Sequence, residues 1–249
     1  MTVSVLWQVL LVAVVSDLAT GLGVLPLAFT NRLAPRWEGL ASAIAGGMML
    51  SASLFTLADK AIRIGGLWPV AFGLLAGSAF FALTAWIVAR SDWTIQDLTS
   101  ADSKRAVLIL VAMFVHSIPE GVAIGVGFGT GELSFGILLG LAIAIHNIPE
   151  GAAVSLPLRA KGVGLWACAG YAILTSVPQP VFAVPAYLLV ETFKPLLPIG
   201  LGFAGGAMVF LVAAELIPES LERCSRYETA WGVMVGLLVM LIITSSMGI

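Results

Sequence analysis

His116-Ser-Ile-Pro-Glu120-Gly and His146-Asn-Ile-Pro-Glu150-Gly lie thirty positions apart and contain both histidines of the 249-residue chain. Each copy places an imidazole and a carboxylate four positions apart, which on a helix means one face and adjacent turns. Each also sits inside a long apolar run. Ionisable groups are costly in hydrocarbon and persist there where they face one another, water or an ion. Two matching pairs in apolar helices therefore predict a membrane-spanning bundle with a polar centre.

Composition agrees. With 59% hydrophobic and 10% charged residues and a mean hydropathy of +1.05, the chain has too few charges to cover a soluble surface of this size. The apolar stretches 5–29, 38–58, 67–89, 106–128, 133–157, 163–190, 196–218 and 229–248 are each long enough to cross a ~30 Å hydrocarbon core. The expected fold is an all-α integral membrane protein of eight spans. The first stretch reads as a span and not as a signal peptide, because Met1 to Leu6 carry no basic residue and the apolar run is too long. Cys168 and Cys224 have no metal-type spacing and predict neither a disulfide framework nor a thiolate site.

Basic residues set the orientation. Arg32, Arg36, Arg90, Lys104, Arg105, Arg159, Lys161, Arg223 and Arg226 fall in the odd-numbered connections, leaving Lys60, Arg63 and Lys194 for the even ones. The positive-inside rule makes the odd connections cytoplasmic and both termini extracytoplasmic. In a bacterium the host would be the inner membrane. The net charge of −2 and the lack of a basic, aromatic-laced patch give no nucleic-acid partner. Trp37, Trp68, Trp93 and Trp231 sit near expected interfaces, as an aromatic belt requires.

Ala45-Gly-Gly-Met48 in the second stretch echoes Ala204-Gly-Gly-Ala-Met208 in the seventh. The two helices cross in opposite senses, which is the parity of an inverted repeat of spans 1–3 and 6–8 flanking spans 4 and 5. Plain helix packing explains such glycines equally well, as it does the ridge Gly121, Gly125 and Gly129.

His116 lies eleven residues past Arg105, roughly 16 Å deep at ~1.5 Å per residue. His146 enters from the opposite side to a similar depth, so both motifs reach the midplane. Pro119 and Pro149 each lack an N–H and are expected to kink the helix there, freeing the carbonyls of Val115 and Ile145. Imidazole and carboxylate together suit Zn²⁺, with Fe²⁺ or Mn²⁺ as further candidates. The competing reading is a pair of buried hydrogen-bonded couples serving packing or proton relay.

At these residues the chain resembles the ZIP (Zrt/Irt-like protein) family of divalent metal transporters, whose signature is a HxxPEG motif in two adjacent spans. The resemblance covers the whole chain. It implies one transmembrane transporter domain over 1–249, both termini extracytoplasmic, and a 3+2+3 arrangement with the metal path between the repeats. It implies His116, Glu120, His146 and Glu150 as the principal transport site, and Glu215 in Ala214-Glu-Leu-Ile-Pro218-Glu219 on the path. The chain departs from the family pattern in several places. Ser117 stands where an Asn is common, Gln179 where span six usually carries a glutamate, and Phe55 near a glutamate of some relatives. A second metal position would have only Ser117, Asn147 and Gln179, all neutral, and a divalent cation without a carboxylate loses most of its electrostatic stabilisation. One metal is therefore expected in place of a bridged pair. The 91–103 connection is acidic, with Asp92, Asp97 and Asp102, and reads as a solvated linker.

Asp17, with Ser16 and Thr20, either lines the path or bonds a neighbouring helix. Asp59 and Lys60 read as an interfacial feature with cation attraction as the alternative, and Glu219 as a solvated helix end. The expected activity is facilitated or proton-coupled entry of a dehydrated divalent metal into the cytoplasm, with the metal as cargo and no cofactor. The chain is not expected to be an enzyme. The rivals are an intramembrane metal-dependent hydrolase, for which there is no HExxH helix or separate general base, and a metal-gated sensor. Lipid is the expected surround, and a homodimer stands beside the monomer.

Overall fold

The computed structural model describes residues 3–28, 34–90, 101–160 and 162–248, and among them there is no β-strand. Seven described segments are long and apolar enough to cross a membrane: Ser4–Ala28, Pro35–Gly65, Leu67–Ile87, Leu133–Ala160, Leu165–Thr192, Lys194–Arg223 and Arg226–Met247. These are the first, second, third, fifth, sixth, seventh and eighth spans. The fourth is the helix Ala101–Gly129, which carries the first motif. The helices overrun several of the apolar stretches: span two extends to Gly65 through Asp59, Lys60 and Arg63. Hydropathy registers only the part of a helix that lies in hydrocarbon. Trp93, Asp92, Asp97, Arg32 and Lys161 lie outside the described residues.

Apolar side chains cover the outside of the bundle. Trp37, Trp68 and Trp231 are 55%, 82% and 71% exposed, as aromatic side chains at a lipid boundary should be. Inside, a continuous core joins Val9, Met49, Leu57, Ile124, Leu139, Leu201 and Met208.

Spans one, four, five and six pack together, while span two packs on span eight and span seven on span three. Missing side chains make the last two contacts possible. A Cβ at Gly47 would run into the Val233 carbonyl, and one at Gly206 into that of Leu74. A Cβ at Gly236 would meet the Ile44 carbonyl, and one at Gly77 that of Phe203. One constant residue offset converts every member of the first contact set into its counterpart: Gly47 to Gly206, Leu74 to Val233, Gly77 to Gly236 and Ile44 to Phe203. Spans two and seven also share a rare feature just past the AGG segments, a π-helical stretch at Ala52–Ala58 and at Val212–Leu216. Two apolar lateral grooves obey the same offset, one lined by Gly23, Pro26 and Leu27, the other by Phe182, Pro185 and Ala186.

Close helix contact of this kind has no room for a larger residue. Gly47→Leu or Gly236→Leu is expected to destabilise the protein by about 1–3 kcal/mol or more through overpacking, read as a lower melting temperature in detergent. Gly170→Ala is the control, since nothing lies within 4 Å of a Cβ there.

The helices Ala101–Gly129 and Leu133–Ala160 run uninterrupted through Pro119 and Pro149. The break occurs in span six, where Leu165–Ser176 ends and Pro178–Thr192 begins on the far side of Val177. A lone proline deletes one intrahelical bond, whereas Pro178 and Pro180 together remove two donors within one turn. The break falls one residue short of Gln179's own turn and directs that side chain inward, where it is 0% exposed.

Polar residues at the two ends of the bundle are paired. Lys60 donates to both carboxylate oxygens of Glu132 at 2.7 and 2.6 Å and stacks over Phe135, and Arg63 pairs with Asp59 at 2.7 Å. Asp59 and Lys60 thus form the interfacial pairs of their end. At the other end, Arg223 joins Glu38 at 2.6 Å and Glu219 at 3.4 Å, and Ser42 Oγ donates to Glu219 Oε2 at 3.1 Å. Glu219 is therefore a packed link between spans two and seven and not a solvated helix end, because Arg223 one turn away supplies the counter-charge.

Candidate metal centre

Both HxxPEG motifs meet in the interior, and His116, Glu120, His146 and Glu150 are all at most 1% exposed. The glycine that follows each glutamate explains how spans one and six come so near. A Cβ at Gly121 would lie 2.6 Å from the Gln179 carbonyl oxygen, and one at Gly151 would run into the Thr20 carbonyl. Span six therefore lies directly on span four beside Glu120, and span one on span five beside Glu150.

Glu120 is the hub. Its Oε1 lies 2.8 Å from His146 Nε2 and 4.0 Å from His116 Nε2, and its Oε2 accepts from Gln179 Nε2 at 2.6 Å. His116 Nε2 lies 3.8 Å from Glu150 Oε1. One ligand atom each from His116, Glu120 and Glu150 can be chosen so that all three lie within 4.8 Å of one another. His146 stands beside Glu120, with its Nε2 2.8 Å from Glu120 Oε1, and is outside that set of three.

Several buried atoms here have no hydrogen-bond partner: His116 Nε2, His146 Nδ1, Asn147 Oδ1 and both oxygens of Glu150. A buried polar atom left unpaired costs about 1–3 kcal/mol, more for a charged group. The Glu150 carboxylate and the His116 imidazole lone pair are electron-pair donors close to Glu120, so a cation there satisfies what no protein donor does. Nitrogen and carboxylate oxygen in this mixture match the ligand preferences of zinc.

The three neutral residues of the motif surroundings separate. Ser117 turns its hydroxyl back to the Met113 carbonyl at 3.4 Å. Asn147 and Gln179 hydrogen-bond each other at 3.2 Å, and Asn147 also donates to Ser16 O and Ser16 Oγ at 3.0 and 3.1 Å. Glu215 lies half-buried in the π-helical stretch of span seven, outside the His/Glu set. Asp17 is 7% exposed, its Oδ1 has no partner, and it too is outside that set. Thr20 bonds Ser176 at 2.8 Å. Ser176, and Ser155 with its buried unpaired hydroxyl, carried no signal in the sequence, because isolated serines in apolar helices commonly bond their own backbone.

Long apolar helices enclosing a buried cluster of imidazoles and carboxylates define a multi-pass helical membrane protein with a polar centre. The family model described as ZIP Zinc transporter matches residues 94–244. Zinc transporter GufA of Myxococcus xanthus is 32% identical over 96% of this chain and 98% of its own length. Zinc transporter ZIPB of Bordetella bronchiseptica is 33% identical over 92% of the chain and 78% of its own. A relative from Arabidopsis thaliana is 38% identical over 85% of the chain, which spans only 34% of that longer protein. The chain belongs to the ZIP zinc transporter family.

Proposed function

We propose that the chain carries divalent metal cations, zinc foremost, into the cytoplasm through a midplane site formed by His116, Glu120, His146 and Glu150. The observation that carries this reading is the set of buried, partnerless ligand atoms on His116 and Glu150 beside Glu120. His146 joins the metal when the cation displaces the proton shared between its Nε2 and Glu120 Oε1. Glu215 contributes to the path. Ser117, Asn147 and Gln179 occupy the second position without charge, so the site takes one metal.

The whole chain acts as one transporter domain. The matched glycine contacts, π-helical stretches and grooves support a 3+2+3 arrangement in which spans 1–3 and 6–8 form an inverted repeat around spans four and five. The excess of arginine and lysine in the odd connections supports extracytoplasmic termini, with the inner membrane as the location in a bacterium. Lipid covers the exposed apolar faces, and a second copy of the chain is the alternative cover for part of them.

Uptake of labelled zinc by proteoliposomes tests the reading against its rivals. Time-dependent accumulation without cleavage of lipid or peptide is expected. Turnover without accumulation would establish the hydrolase, and saturable binding without accumulation the sensor. Ligands bind metal unprotonated, so acid competes: zinc affinity is expected to fall as the pH is lowered. Affinity that rises or stays level as the pH falls would contradict histidine ligation.

A further inference from the structure

The two glutamates are chemically equivalent in the sequence motif and inequivalent in the structure. Glu120 Oε2 accepts a 2.6 Å bond from Gln179 Nε2, whereas neither oxygen of Glu150 has a partner. The difference has a source in the repeat. The offset that relates Gly47 to Gly206 also relates Thr20 to Gln179, and the two occupy matching places, Thr20 against Gly151 and Gln179 against Gly121. Threonine is too short to reach the carboxylate beside it and bonds Ser176 instead.

Gln179 is itself oriented. A metal-binding carboxylate has only acceptors, so the amide must turn its NH₂ to Glu120 and its oxygen the other way. That oxygen accepts from Asn147 Nδ2, which is in turn anchored on the Ser16 carbonyl and hydroxyl. Ser16, Asn147, Gln179 and Glu120 are all 0% exposed, so no water competes for these bonds. The amide of Asn147 is thereby forced to aim its oxygen away from the chain of donors, which accounts for Asn147 Oδ1 being partnerless.

We propose that Gln179 is a positioning residue, held by Asn147 and Ser16, that fixes Glu120 as the oriented carboxylate of the metal site while Glu150 is left free of such a partner. This rests on the metal-site reading above. It assigns Asn147 and Gln179 a role through Glu120 in place of direct ligation, and it makes span one part of the site through Ser16. In transport terms, a fixed carboxylate sets affinity and selectivity, and a free one allows the ion to leave.

Zinc titration calorimetry on the purified full-length chain tests the relay. Removing an outer partner of a metal ligand typically costs about 10–100-fold in affinity, and that loss is expected for Gln179→Met, which keeps the length and deletes both hydrogen bonds. Asn147→Leu should weaken binding through the same route, and Ser16→Ala, which removes one hydroxyl, should do so several-fold with little risk to folding. The decisive reading is non-additivity. In a Gln179→Met background, Asn147→Leu and Ser16→Ala should cost nothing more, because both act only through the amide now absent. Unchanged affinity in Gln179→Met, or losses that multiply in the combined variants, would overturn the relay while leaving the metal site intact. No zinc binding by the wild type would overturn the metal-site reading and the relay together.

Discussion

Zinc uptake by proteoliposomes containing Glu150→Ala or His146→Ala is expected to fall to the level of protein-free liposomes, with the melting temperature of Glu150→Ala in detergent little changed. On the proposed ligand set, each substitution takes one of four protein ligands from a site whose side chains are at most 1% exposed, so no solvent oxygen readily replaces it. Folding should survive in Glu150→Ala because both Glu150 oxygens lack hydrogen-bond partners, and deleting an unpaired buried carboxylate removes a cost; His146→Ala also vacates a fully buried ring and takes Nε2 from Glu120, so its melting temperature should fall. Glu120→Ala should be worse on both counts, since Gln179 and His146 lose their shared acceptor. Wild-type uptake by a well-folded Glu150→Ala protein would remove Glu150 from the transport site.

The second large effect is a change in stoichiometry. Wild-type protein is expected to bind one zinc per chain, and Gln179→Glu two. The substitution replaces a donor 2.6 Å from Glu120 Oε2 with a second carboxylate. Two carboxylates at that separation in a dry interior repel unless a cation lies between them. Glu120 would then bridge two metals, with Asn147 Oδ1 available as a further oxygen ligand. Metal analysis that finds two tightly held ions in the wild type, or one in the Gln179→Glu protein, would contradict this account of the neutral second position.

The His116/Glu120 and His146/Glu150 pairs were legible in the sequence because helical geometry ties residues i and i+4 to one face, and the AGG echo of spans two and seven because close packing demands glycine. What linked them was not. The bond from Gln179 to Glu120 depends on the break at Val177 and on how nearly span six lies against Gly121, and both are properties of packing between distant segments. Ser16 stood out only as the neighbour of Asp17, yet Ser16 holds Asn147 while Asp17 is apart from the ligand set. The rotation of one residue about the helix axis decides between them. Glu219 looked solvated because the weight of Arg223, one turn along the same helix, was not drawn from the spacing, and because Ser42, its other partner, lies on a distant helix.

X-ray absorption at the zinc edge of the zinc-loaded wild-type protein tests the central claim most directly. A midplane site of His116, His146, Glu120 and Glu150 predicts a four-coordinate shell of mixed nitrogen and oxygen at about 2.0–2.2 Å with imidazole outer-shell scattering and no sulfur. That signal should lose half of its imidazole contribution in His116→Ala. A sulfur shell, an all-oxygen shell, or a spectrum unchanged by His116→Ala would place the metal somewhere other than the paired histidines and glutamates.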